Sequence, residues 1–121
     1  MLSLPLPVRI FLCTQPADMR RSFDGLAQMV RDFLGADPLC GHLFVFRSKR
    51  GDRLKLLYWD SDGLAIWYKR LEKGTFRFPA ATAGGYGVEL RAADLTMLLD
   101  GVDLSSVQRQ PRYRRPVAAT S

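Results

Sequence analysis

Gly41-His42-Leu43-Phe44-Val45-Phe46-Arg47 opens the segment around which the rest of the chain is organised. Past a basic connection it continues as Arg53-Leu54-Lys55-Leu56-Leu57-Tyr58-Trp59-Asp60 and turns through Ser61-Asp62-Gly63. It then runs on as Leu64-Ala65-Ile66-Trp67-Tyr68-Lys69-Arg70-Leu71-Glu72-Lys73-Gly74 and Thr75-Phe76-Arg77-Phe78. Four runs rich in β-branched, aromatic and leucine residues alternate with short polar connections containing Gly, the pattern of an antiparallel meander. Leu54, Leu56 and Tyr58 share one face of their strand, and Lys55, Leu57 and Trp59 the other. Neither face is cleanly polar, so the sheet is expected to be covered on one side and partly apolar and basic on the other.

Upstream, Val8 to Cys13 is a candidate first strand. Thr14-Gln15-Pro16-Ala17-Asp18 reads as a helix entry, with Pro16 in a first turn and Asp18 near the positive end of the helix dipole. Met19, Phe23, Leu26, Ala27, Val30, Phe33 and Leu34 recur at steps of three and four, predicting an amphipathic helix from Asp18 to about Leu34. Arg20, Arg21, Asp24, Gln28, Arg31 and Asp32 form its expected wet face. Gly35 can terminate it, and Gly25 within it suggests close packing on the sheet. Downstream, residues 80–87 read as an Ala- and Gly-rich loop. Tyr86 to Leu90 is a possible closing strand, and residues 92–100 a short helix stopped by Gly101. The predicted fold is α+β: an antiparallel β meander of about five strands, packed by one helix in the N-terminal half, plus a short C-terminal helix.

The 121 residues are enough for one domain with one core, here residues 1–106. Residues 107–121 are rich in Gln, Arg and Pro and have little to bury, so disorder or folding against a partner is expected. No apolar run approaches the roughly 20 residues that span a bilayer. Pro5, Pro7 and the lack of an early basic residue argue against a signal peptide. Cys13 and Cys40 form no metal or redox pattern, which points to two reduced, buried thiols in a cytoplasmic protein.

The net charge of +6 is unevenly placed. Residues 42–79 hold nine basic and four acidic groups, while residues 80–106 hold one and four. The final fifteen residues hold four arginines and no acid. Such asymmetry suggests a polyanionic partner. Arg47, Lys49, Arg50, Arg53 and Lys55 cluster around one hairpin loop, and Lys69, Arg70, Lys73 and Arg77 around another. Tyr58, Trp59, Trp67 and Tyr68 lie between them. Lysine and arginine neutralise phosphates, and aromatic rings stack on bases. The candidate nucleic-acid-binding residues are therefore Arg47, Lys49, Arg50, Arg53, Lys55, Trp59, Trp67, Lys69, Arg70 and Lys73. Aromatic rings in the core with charges on a solvated rim explain the same pattern without a ligand.

No catalytic residue, metal site or cofactor is assigned. His42, the only histidine, opens a strand and reads as structural. Asp60-Ser61-Asp62-Gly63 matches the start of a calcium loop, but Leu71 stands where the bidentate acid belongs, so a β-turn is the better reading. Asp18, Asp24, Asp60, Asp62, Glu72 and Asp94 could in principle serve a two-metal nuclease. They fall instead in turns and at helix ends, where acids have ordinary structural roles.

Residues 18–26, 41–46, 55–60, 67–76 and 94–101, in order and at these separations, resemble the Orf2 proteins of the IS-sixty-six group of bacterial insertion sequences. These are also called TnpB accessory proteins. The resemblance spans about Val8 to Leu104. It implies a small, non-enzymatic protein encoded beside a transposase, one that assists transposition and has no established biochemical activity or catalytic residues to carry over. Unrelated RNA-guided nucleases share the TnpB name but are far longer. The implied partners are transposon DNA and the element-encoded transposase. An assembly factor that contacts only the transposase is the alternative.

Overall fold

The structure is a computed structural model that describes residues 8–79 and 85–100. A five-stranded mixed sheet forms its middle layer, ordered β4-β3-β2-β1-β5. The strands are β1 (Ile10–Cys13), β2 (Leu43–Arg47), β3 (Arg53–Asp60), β4 (Gly63–Arg70) and β5 (Gly87–Leu90). The helices are α1 (Phe23–Met29), prolonged by a π-helical turn over Val30–Leu34, and α2 (Ala92–Leu99).

Strand period places each helix. In β2, Leu43 and Val45 face one way and Phe44 and Phe46 the other, and all four are buried. A strand apolar on both faces belongs in the centre of a covered sheet. Phe44, Phe46 and Leu57 pack with Leu26, Ala27, Met29 and Val30 of the α1 layer. On the opposite face Leu43, Val45, Leu54 and Leu56 pack with Leu95 and Leu98 of α2 and with Phe76. The α2 N-terminus is secured by the Asp94 carboxylate, which accepts from the Arg91 N–H at 3.1 Å.

Three expectations about the secondary-structure elements change. The meander is antiparallel over β2–β3–β4, but β1 lies parallel to β2 and antiparallel to β5. A parallel neighbour needs a crossover, and α1 supplies it. Thr75–Phe78 is not a strand. It is a loop that buries Phe76 on the α2 side and is tied to the β2–β3 connection by Phe76 N–H donating to Gly51 O at 2.8 Å. The helix begins at Phe23, not Asp18. The Asp18 carboxylate takes the Arg20 N–H at 2.9 Å and Arg21 N–H closes a turn onto Asp18 O at 2.9 Å, a local alternative that competes with helical hydrogen bonds.

The wet face is as expected, with Asp24, Gln28, Arg31 and Asp32 exposed. Gly35 ends the helical segment at φ 59°. Gly25 does not approach the sheet, since a Cβ there would meet the Arg21 side chain at 3.0 Å. Cys13 is buried as expected, whereas Cys40 is exposed. Gly101, residues 80–84 of the Ala- and Gly-rich loop and the basic tail lie outside the described residues.

Candidate functional site

The two basic clusters that the sequence separates meet at one end of the sheet. The two-residue turn at Ser61-Asp62 sets the β3–β4 register, which places Arg53 directly opposite Arg70. The β2–β3 connection therefore lies beside the segment that leaves β4. Leu71 N–H donates to Asp52 O at 2.8 Å, and Phe76 N–H to Gly51 O at 2.8 Å. Residues 47–53 and 69–77 together carry eight basic groups, with Asp52 and Glu72 as their only acids.

Ser48 makes the first loop rigid. Its buried Oγ accepts from Gly51 N–H at 3.2 Å and Arg53 N–H at 3.1 Å, and donates to Asp52 Oδ1 at 3.3 Å. Gly51 turns the chain at φ 82°, a conformation that disfavours residues with a Cβ. Lys49 and Arg50 are left exposed at the tip.

The candidate residues divide by environment. Lys49, Arg50, Lys69 and Lys73, with Arg77, are exposed, and their side chains make no hydrogen bond or ion pair with any described residue. Arg53 is half-buried and reaches the Tyr68 hydroxyl at 3.5 Å. Arg70 is held by Glu72 at 3.0 Å. Arg47 donates to Thr14 O at 3.0 Å and lies 5.8 Å from the Phe78 ring centroid. Lys55 is only 7% exposed, and its ammonium donates to Met19 O and Arg21 O at 2.9 and 2.8 Å. Lys55 and Arg47 thus fasten the 14–21 segment to the sheet.

The aromatic residues do not form one stacking platform. Trp59 pairs with Leu64 on the α1 side, near the turn that carries Asp60 and Asp62. Trp67 pairs with Leu56 on the α2 side and is 40% exposed. Alternation along paired strands sends them to opposite faces. The β3–β4 hairpin is consequently polarised, basic at its open end and acidic at its turn. The signal for this was countable in the sequence: a two-residue turn at 61–62 puts residue 53 beside residue 70.

His42 is structural. Its Nδ1 accepts the Arg9 N–H at 3.1 Å, and its ring stands edge-on to Phe11. Arg9 grips Glu89 through two hydrogen bonds of 2.6 and 3.0 Å, which raise the arginine pKa and lower that of the carboxylate. Among the described residues no three His, Cys, Asp or Glu side chains converge as metal ligands, and no helix is long and apolar enough to cross a membrane.

The family described as IS66 Orf2 like protein matches residues 8–109. The chain is 42% identical over 109 residues to "uncharacterized protein y4jC" of Sinorhizobium fredii (strain NBRC 101917 / NGR234), covering 90% of this chain and 91% of that protein. It is 40% identical over 96 residues to "uncharacterized protein y4hO" of the same strain, covering 79% and 82%. No solved structure matches.

Proposed function

Because the chain belongs to the IS66 Orf2-like family, we propose that it assists transposition by gripping DNA phosphates at the basic end of its sheet. Family membership implies an accessory role in insertion-sequence transposition. The observation behind the finer reading is the joining of two loops into one surface, with Lys49, Arg50, Lys69, Lys73 and Arg77 exposed there. Exposed cations on a rigid frame contact phosphates without reading sequence. Arg53 adds to the positive field, whereas Arg70, directly across the ladder, is already paired with Glu72 at 3.0 Å. Lys55 and Arg47 shape this surface and do not contact the phosphates.

The test is a titration against element-end and scrambled DNA across salt concentrations. Replacing Lys49, Arg50 and Arg53 together by Ala should weaken both DNAs alike. It should flatten the log–log salt slope by up to about 2.7, at about 0.9 for each duplex phosphate that is no longer neutralised. Unchanged affinity and slope would reduce the loop to a solvated turn.

A second reading has its own support. Trp67 and Tyr68 are exposed large hydrophobic residues on the outermost strand, β4, which suits a protein interface in an assembly factor for the transposase. Loss of transposase binding by the triple variant, with DNA affinity intact, would favour that reading.

A further inference from the structure

The two edges of the sheet are treated differently. Edge β5 has four residues, and its Glu89 is held in the bidentate pair with Arg9. Short length and fixed charge blunt an edge. Edge β4 has eight residues, Gly63–Arg70, with no proline and no charge from Leu64 to Tyr68. Among the described residues no strand covers its outer side. Asp60 and Gly63 close the two-residue turn as a hydrogen-bonded pair, and such pairs alternate. Leu64, Ile66 and Tyr68 therefore turn their N–H and C=O groups outward.

We propose that β4 pairs antiparallel with β4 of a second copy of this chain, giving a continuous ten-stranded sheet about a twofold axis. The charge pattern selects both the occupant and the register. An axis perpendicular to the sheet keeps both α1 layers on one side, so residues sharing a face must oppose each other. Centring on Ile66 sets Leu64 opposite Tyr68, Ala65 opposite Trp67, and Asp62 opposite Arg70 of the other copy. Asp62 then joins Glu72 of that copy in offsetting the positive charge of Arg70 and Arg53, which face each other across one ladder. Centring on Trp67 instead sets Leu64 opposite Arg70 and Asp62 opposite Glu72, a like-charge pair that opposes association. The acidic turn of one copy thus meets the end of β4 in the other, and the two phosphate-gripping ends point away from each other. The pairing is independent of whether those ends bind DNA.

Sedimentation of the full chain over a range of concentrations tests the proposal. The expected result is a reversible monomer–dimer equilibrium. Asp62→Arg and Arg70→Asp, both at exposed positions, should each loosen the dimer about tenfold, because the pair occurs twice. The two changes combined should restore it to within about threefold of the parent. Tyr68→Pro removes an outward N–H while sparing the ladder to β3, and should abolish the dimer with the circular dichroism spectrum retained. A chain that stays monomeric at high micromolar concentration overturns the proposal, as does one that associates only with the transposase. A dimer indifferent to all these changes, or a combined variant no tighter than the single ones, overturns it too.

Discussion

Lys55 Nζ donates to the main-chain carbonyl of Met19 at 2.9 Å, across 36 positions of sequence. The same ammonium takes Arg21 O at 2.8 Å and sits 4.6 Å from the Tyr68 ring centroid. One buried cation thus ties the turn before α1 to β3 and β4. Hydrogen bonds to charged groups contribute about 1.5–3 kcal/mol each, and truncation leaves two carbonyls without their donor. Lys55→Ala is expected to cost about 2–4 kcal/mol by denaturant titration. A cost below about 0.5 kcal/mol would show that water replaces the ammonium.

Gly51 holds the two basic loops together. At φ 82° with its carbonyl taken by Phe76 N–H, it has room for a Cβ, whose nearest neighbour would be Thr75 Cβ at 3.5 Å. Backbone strain, not a clash, decides the outcome. Gly51→Ala should destabilise by about 1–2 kcal/mol. The loss should be accompanied by amide chemical-shift changes confined to residues 47–53 and 71–77. A neutral substitution would mean the turn relaxes freely.

Asp18 titrates at about 2, below its ordinary 3.8, chiefly through hydrogen bonds from the Arg20 guanidinium and next from the Arg20 N–H. The folded value is depressed, so this carboxylate stabilises the fold above about 3.8 and loses that contribution as pH falls toward about 2. The pair is exposed, so its effect should shrink with added salt. Arg20→Ala should return the Asp18 titration, followed by carboxyl carbon NMR, toward the ordinary value. An Asp18 midpoint near 3.8 in the parent protein would contradict the pairing.

The two thiols should react in order. Cys40 is exposed, while Cys13 is fully buried and its pKa is raised, mainly by desolvation. Thiolates are the reactive form, so a maleimide should label one site in the native protein and both in denaturant. Rapid native labelling of Cys13 would show that the edge beside β5 opens readily.

Features under local control are legible in the order of residues. Period-two alternation and the Ser61-Asp62-Gly63 turn identify β3 and β4, the unbroken apolar run of Leu43–Phe46 identifies the central strand, and the spacing of Leu95 and Leu98 identifies α2. Family membership was legible too, because it rests on residues in fixed order. How distant segments meet emerges from long-range packing. The parallel placement of β1 beside β2 depends on the α1 crossover, which no local pattern encodes. The late start of α1 depends on Asp18 choosing Arg20 over a helical partner. The candidate site changed most. Lys49 and Lys55 look equivalent in a run of basic residues, yet Lys49 projects from a turn while Lys55 is buried against two carbonyls contributed from more than thirty positions away. A cation's role follows from its solvent exposure and its partners, and those are fixed only when the chain closes on itself.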